Sequence, residues 1–246
     1  VIKLGLIGYP ISHSKSPKIF AGLFNNDSLE GSYDLFEFSD INRDQLLLLF
    51  DHFQLTGVNV TIPLKEKVIP LLDYVHPLAK RIGAVNTIVK EGNELVGYNT
   101  DYHGIVSSLN ILRTKPKKAL ILGNGGASKA VQTVLNDFHI PCLVVSRRGA
   151  QMNYNELNAE IAMSCNWWIN CTPVGSPGLI NDYLPLPYSV LTDEFAIFDL
   201  VYSDMPTPLL QTAQLYDAEI IGGQIMLNEQ AKKAWMYFRA AYYKNL

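Results

Sequence analysis

The chain has 246 residues, 48% of them hydrophobic, and a formal net charge of −3; it can fill the core of one large domain or two modest ones, which excludes a disordered chain. Its pI near 6.0 comes without a clustered basic surface and so excludes a nucleic-acid footprint. Its longest apolar runs, such as Leu46 to Phe50, fall far below the roughly 18 residues of a membrane-spanning helix.

Short apolar runs alternate with helical patterns from end to end. The opening Val1-Ile2-Lys3-Leu4-Gly5-Leu6-Ile7-Gly8 reads as a first strand, not as a signal segment. Strands are predicted over Lys3 to Ile7, Tyr33 to Phe38, Val58 to Thr61, Ala119 to Leu122, Cys142 to Ser146, Trp167 to Asn170 and Ile197 to Leu200. Helices are predicted to begin at Ser16-Pro17 and near Arg43, Asp101, Gly126, Asn155 and Thr207, with a long amphipathic helix over Gln224 to Tyr243. This alternation predicts α/β units with parallel strands. One segment departs from it: Ala84 to Lys90 and Glu94 to Tyr98 flank Glu91-Gly92-Asn93, a hairpin signal, so the first half is expected to hold a mixed sheet. A domain boundary falls near residue 102, where a helix leads through the polar Lys115-Pro116-Lys117-Lys118 linker into a fresh strand-turn-helix unit. Cys142, Cys165 and Cys171 have neither C-x-x-C spacing nor an even count, and the five histidines are scattered. No metal site is expected, and a reducing cytoplasm is the expected setting.

The strand-turn-helix unit from Lys118 to Val131 carries three glycines in its turn. Backbone N–H groups of such a turn can approach a pyrophosphate, and the helix N-terminus adds partial positive charge. Gly123, Asn124, Gly125, Gly126, Ala127 and Ser128 are therefore candidate dinucleotide contacts. The next strand ends at Ser146-Arg147-Arg148 rather than at an acid. An acid there would bind the ribose 2′-OH of NAD, whereas serine and arginines offer charge-assisted hydrogen bonds to a 2′-phosphate, so NADP (NADPH) is the expected cofactor.

In the first half, polar segments sit at the ends of predicted strands, where open α/β sheets place their ligands. They are Ser12 to Pro17, Asn59 to Lys65, Gly83 to Thr87 and Gly97 to Asp101. Their hydroxyls, amides, one ammonium and one carboxylate suit a small polyhydroxylated acid. Singly, Lys65 reads as a surface lysine, Asp101 as a helix N-cap and the serines as caps.

Taken together, the motifs G-x-P-I-x-H-S-x-S-P (Gly8 to Pro17), N-V-T-x-P-x-K (Asn59 to Lys65), G-A-V-N-T (Gly83 to Thr87), G-x-N-T-D-x-x-G (Gly97 to Gly104), G-x-G-G-A-S (Gly123 to Ser128), N-x-T-P-x-G (Asn170 to Gly175) and Met226-Leu227 with Gln230 resemble the shikimate dehydrogenase family in its order. The resemblance implies an α/β protein of two domains. A mixed-sheet substrate domain would span 1–102 plus 222–246, with the C-terminal helix returning to it, and a Rossmann-type NADP-binding domain would span 103–221. It implies reversible NADP-linked reduction of 3-dehydroshikimate to shikimate, on the way to aromatic amino acids, and a cleft that closes about hinges near 102 and 222.

By matching positions, Ser14 and Ser16 would hold the substrate carboxylate, and Thr61, Lys65, Asn86, Asp101, Tyr202 and Gln230 would surround the ring. Lys65 and Asp101 would be the catalytic pair. Gly123 to Ser128 and Ser146 to Arg148 would take the diphosphate and 2′-phosphate, with Thr172, Leu200 and Gly223 near the nicotinamide half. A general acid is what the chemistry needs, because hydride addition to a ketone leaves an alkoxide that must gain a proton. A carboxylate beside Lys65 stabilises its ammonium, so Asp101 is assigned to positioning Lys65 and to a substrate hydroxyl. Asn124 departs from the family pattern, standing where a small residue is usual.

A quinate or quinate/shikimate dehydrogenase using NAD(P) shares most motifs, and a non-catalytic dinucleotide sensor is an alternative of another class. Ser14, Ser16 and the Ser-Arg-Arg tip favour shikimate with NADP, and Lys65 with Asp101 argues against the sensor. The expected partner is the small-molecule substrate, with no nucleic acid and no membrane; a homodimer is left open.

Overall fold

The computed structural model describes residues 1–176, 179 and 183–245. The chain divides into two compact units, Val1–Asp101 with Asn228 onward, and Tyr102–Leu227.

The first unit is built on a six-stranded mixed sheet. Strand β1 (Ile2–Gly8) pairs in parallel with β2 (Gly31–Glu37) and β3 (Gly57–Val60). Strand β5 (Thr87–Glu91) runs antiparallel to β3 and to β6 (Glu94–Tyr98), and the two-residue β4 (Tyr74–Val75) joins β6 in parallel. The predicted hairpin is present, with Gly92 at φ +60° in its loop, a conformation that costs glycine nothing. It begins later than predicted, because Ala84 to Asn86 form an irregular entry in which Asn86 bonds through its backbone to Val60 and Tyr98. Strand β4 is too short for any periodicity to reveal.

Helices cover both faces of this sheet. Helix α1 (Ser16–Asn26) and the C-terminal helix α8 (Gln224–Lys244) bring Phe20, Phe24, Trp235 and Phe238 onto Ile2, Leu4, Val89 and Val96. Gly57 makes this close packing feasible, since a Cβ there would collide with the Phe238 ring. On the other face, α2 (Arg43–Phe53) and α3 (Pro77–Ile82) pack Leu46, Phe50 and Ala79 over Ile7, Val58 and Ile88. Alternate residues of each strand thus feed opposite cores, the period-two rule of a pleated strand. Helix α2 starts in a capping box formed by Asn42 and Gln45, an arrangement worth about 1 kcal/mol. Helix α1 starts differently from the expectation that Ser16 caps it. Lys15 in helical conformation occupies the cap position, and Ser14 Oγ accepts from Ser16 N at 3.2 Å.

The second unit carries a five-stranded, wholly parallel sheet in the order β11-β10-β9-β7-β8. Its strands are β7 (Ala119–Leu122), β8 (Cys142–Val145), β9 (Trp167–Asn170), β10 (Ala196–Asp199) and β11 (Glu219–Gly222), with helices α4 (Asp101–Leu109, Asp101 itself lying in the first unit), α5 (Gly126–Asp137), α6 (Ala159–Met163) and α7 (Pro208–Gln214). Leu120, Leu122, Trp168, Ile197 and Leu209 are among the residues of its core. The chain leaves β7 for β8 on one side and later returns to β9 on the other, so the order reverses at β7, where doubly wound sheets bind ligands. Instead of one helix near Asn155 there is a 3₁₀ turn at Tyr154–Glu156 followed by α6, because Asn153 and Asn158 each cap a separate turn. The Lys115 to Lys118 stretch is pinned by Asn166, which accepts from Lys117 N at 2.7 Å and donates to Lys115 O at 2.9 Å.

Candidate active site

The mixed topology of the first unit explains how its polar segments meet. Strands β1, β3 and β6 leave the sheet at one end, and β5, running the other way, enters there. Residues after β1, after β3, before β5 and after β6 are therefore neighbours. Backbone bonds from Thr61 N to Ile7 O at 2.9 Å and from Tyr9 N to Ile62 O at 2.8 Å tie the first two segments. Val85 N to Lys65 O at 2.8 Å ties the third.

At this end Lys65 Nζ donates to Asp101 Oδ2 at 2.7 Å, with side chains 15% and 6% exposed. Asn86 Nδ2 donates to Asp101 Oδ1 and to Thr100 Oγ1, both at 2.9 Å, and reaches Gln230 Oε1 at 3.4 Å. Asn86 Oδ1 accepts from Thr100 N at 2.7 Å. Four of the expected residues, Lys65, Asn86, Asp101 and Gln230, thus form one hydrogen-bonded group. The Asp101 carboxylate faces Lys65 and Asn86, where a bare N-cap reading would turn it to its own helix. Ser14, Ser16 and Thr61 lie at the same sheet end, with Ser16 and Thr61 buried and half-buried. Among the described residues no side-chain hydrogen bond joins these three to the Lys65 group.

In the second unit the glycine turn follows β7. Gly123 has φ +102°, and a Cβ there would lie 3.0 Å from Thr172 Cγ2 and 3.3 Å from the Cys171 carbonyl carbon, so glycine suits both the conformation and the close approach. Gly125 is the N-cap of α5, with no side-chain cap and nothing within 4 Å of where its Cβ would be. The first N–H groups of α5 are left for an outside acceptor. Ala127 lies in the first turn of α5 and Ser128, buried behind it, accepts from Gln132 Nε2 at 3.1 Å.

Asn124 Nδ2 donates to Gly149 O, tying the turn to the loop after β8. In that loop Ser146 Oγ donates to Arg148 O at 2.6 Å and accepts from Arg148 N at 3.1 Å. The Arg147 and Arg148 side chains are exposed, and among the described residues no carboxylate pairs with them. Thr172 follows β9. Leu200 follows β10 and bonds through N to Asn170 O at 3.0 Å, and Gly223 N bonds to Val201 O at 3.1 Å. A Cβ on Gly223 would collide with the Leu200 carbonyl. Tyr202 lies in this second unit, in the irregular segment beyond β10.

Residues 6–88 match the family model described as the shikimate dehydrogenase substrate binding domain. The shikimate dehydrogenase (NADP(+)) of Clostridium beijerinckii is 37% identical over 241 residues, covering 94% of this chain and 89% of that one. The chain belongs to the shikimate dehydrogenase family. Among solved structures, shikimate dehydrogenase 1 from Peptoclostridium difficile superposes with a TM-score of 0.85 at 34% identity, over 98% of this chain and 92% of that one. The shikimate 5-dehydrogenase of Thermus thermophilus, solved in complex with NADP(H) and shikimate, gives 0.83 at 29% identity over 99% and 100%.

Two polar groups join motif residues to partners with no functional signature of their own in the sequence, Tyr33 in the first unit and Asp199 in the second. Beneath Asn86, Asn59 donates to Thr87 Oγ1 at 3.2 Å and accepts from Tyr33 OH at 2.8 Å, and Thr87 Oγ1 donates to Asn86 Oδ1 at 3.1 Å. In the second unit, Asp199 binds Asn170, Thr207 and Val201. The available signal is one polar residue in each of two fully buried short strands, Gly57–Val60 and Ala196–Asp199, since buried polar groups must find partners. Among the described residues no group of His, Cys, Asp and Glu could hold a metal, and no helix is long and apolar enough to cross a membrane.

Proposed function

We propose that this chain catalyses the reversible, NADP-dependent interconversion of 3-dehydroshikimate and shikimate, with Lys65 as general acid/base. The observation that carries the reading is the Lys65–Asp101 pair, held at 2.7 Å inside a buried amide and hydroxyl network at one sheet end. Among the described residues each Asp101 oxygen has one side-chain partner, Lys65 on Oδ2 and Asn86 on Oδ1, so the ammonium is held in one place without using all of its three hydrogens.

NADPH, when bound, supplies the hydride. As the carbon–hydrogen bond forms, the carbonyl electron pair moves to oxygen and Lys65 Nζ gives that oxygen a proton; in the reverse direction the amine takes it back. Asp101 positions Nζ and accepts from a substrate hydroxyl. Ser14 and Ser16 hold the carboxylate, and Thr61, Asn86, Gln230 and Tyr202 hold the ring. For the cofactor, the uncapped N-terminus of α5 and the glycine turn suit a diphosphate, and the exposed Arg147 and Arg148 with Ser146 suit a 2′-phosphate. Thr172, Leu200 and Gly223 serve the nicotinamide half. The domains that divide this work are a substrate domain and an NADP-binding domain. The Cys142 and Cys165 thiols, both pushed up by burial, suit a reducing cytoplasm.

The test is absorbance at 340 nm with purified protein, comparing kcat/KM for shikimate and quinate, each with NADP+ and NAD+. Shikimate with NADP+ is expected to be the most efficient pair. Higher efficiency with quinate and NAD+ overturns the substrate and cofactor assignment, and no turnover with any pair, alongside tight NADPH binding, identifies a sensor.

A further inference from the structure

The end of β9 and the end of β10 are joined by a buried polar chain in which the motif residues Asn170 and Thr172 meet Asp199, a residue outside the motifs. Asp199 is fully buried. Its Oδ1 accepts from Asn170 Nδ2 at 2.9 Å and from Val201 N at 3.0 Å, and its Oδ2 accepts from Thr207 Oγ1 at 2.6 Å. On its far side Asn170 Oδ1 accepts from Thr172 N at 2.9 Å and from Thr172 Oγ1 at 2.7 Å.

A side-chain amide has a donor end and an acceptor end of nearly the same shape, and its neighbours decide which way it points. Turned around, Asn170 would set its oxygen against the Asp199 carboxylate and its NH₂ against the Thr172 N–H. A carboxylate only accepts, so Asp199 holds the observed orientation, together with the Thr172 N–H on the oxygen end and the Val174 carbonyl, which accepts from Nδ2 at the longer 3.3 Å. That orientation in turn commits the Thr172 hydroxyl hydrogen to Asn170. Val174 N approaches Thr172 Oγ1 at 3.2 Å, and no other described residue bonds to that oxygen, so towards a ligand this hydroxyl acts as an acceptor. Thr207 completes the bracket by capping α7 and placing its Cβ and methyl 3.1 Å from where a Gly175 Cβ would be.

We propose that Asp199 is a positioning residue that, through the Asn170 amide, orients Thr172 as a hydrogen-bond acceptor for a donor group on the nicotinamide half of the cofactor, its carboxamide NH₂ or ribose hydroxyl. This rests on the reading of the second unit as the NADP-binding one. The chain places an ionisable group where burial, outweighing the hydrogen bonds from Thr207, Val201 and Asn170, pushes its pKa up to about 6, a cost that an apolar residue in the same core would avoid.

The test uses two ligands on the full chain: NADPH, followed by its fluorescence, and adenosine 2′,5′-bisphosphate, which carries the adenosine half alone, by calorimetry. For Asp199→Leu the NADPH Kd is expected to rise about tenfold while the bisphosphate Kd stays unchanged. Asp199→Asn, whose oxygen can take the same two donors, restores NADPH binding. Thr207→Val removes the Oδ2 partner and the helix cap and lowers the Tm, yet leaves both Kd values unchanged. A merely structural role predicts instead that both ligands weaken together in step with Tm. Unchanged NADPH affinity in Asp199→Leu, or equal losses for both ligands, overturns the proposal. If Asp199→Leu does not fold, Asn170→Ala is expected to give the same split, and its absence overturns the proposal equally. Wild-type protein that binds neither ligand defeats the NADP reading itself, whereas wild-type binding of both with no split in the variants defeats only the role of Asp199.

Discussion

Each unit buries one carboxylate at the end of its sheet, Asp101 at 4% exposure and Asp199 at 0%, and the two are partnered in opposite ways. Asp101 has a cation on one oxygen and an amide on the other. Asp199 has an amide, a hydroxyl and a backbone N–H, all neutral, and no cation among the described residues. A carboxylate paired with an ammonium keeps a mobile proton donor in place, which is what a reaction needs. A carboxylate among neutral donors offers only its acceptor geometry, which suits a scaffold, and its charge is a burden there.

Removing Lys65 would turn the first kind of site into the second. Lys65→Ala is expected to lower kcat by about 10² to 10⁴, read from progress curves at 340 nm, while calorimetry still detects shikimate binding. Unchanged kcat would take Lys65 out of the proton-transfer role and leave the two carboxylates functionally alike.

The next largest effect concerns charge at Asp199. Burial pushes this group from 3.8 up to about 6. Below about pH 4 both folded and unfolded chains hold the proton. Between there and pH 6 the folded chain keeps a proton that the unfolded chain releases, so stability falls as pH rises, and above that it is level. At about 1.4 kcal/mol per unit the fall totals about 3 kcal/mol. Asp199→Asn has no proton to lose, so its stability relative to wild type is expected to rise by about 2 to 3 kcal/mol between pH 4 and pH 8, measured by urea unfolding at fixed salt. A difference that does not change with pH would mean that the buried Asp199 is not disfavoured as an anion, and the contrast with Asp101 would collapse.

How legible these sites were depends on what builds them. The glycine turn can be read directly, because Gly123 at φ +102° against Thr172 is a backbone requirement that few residues meet. The parallel strands of the second unit were legible too, being short apolar runs bounded by turns, apart from the half-buried edge strand β11. The side-chain site of the first unit was not legible residue by residue. Lys65 and Asp101 are 36 positions apart and meet only because β5 runs against β3 and β6, and Gln230 arrives from the far end of the chain on α8. Only the family's ordered motifs linked them. Asp199 stayed silent because it is a single polar residue within an apolar strand, and what it bonds to is decided by tertiary packing.

The smallest expected effect lies outside both carboxylate networks. Ser14 is half-buried, and its Oγ already accepts from Ser16 N at 3.2 Å, which leaves the hydroxyl hydrogen to donate to a ligand carboxylate. That bond would be made alike to the bound ground state and to the transition state, since the carboxylate takes no part in the hydride step. Ser14→Ala is therefore expected to raise KM for shikimate about fivefold, roughly 1 kcal/mol, with kcat unchanged. The same substitution frees a first-turn N–H of α1, so a modest fall in Tm accompanies it, and NADPH affinity measured alongside stays unchanged because the contact belongs to the first unit. A fall in kcat without a rise in KM would place Ser14 in the chemistry beside Lys65 rather than in substrate binding.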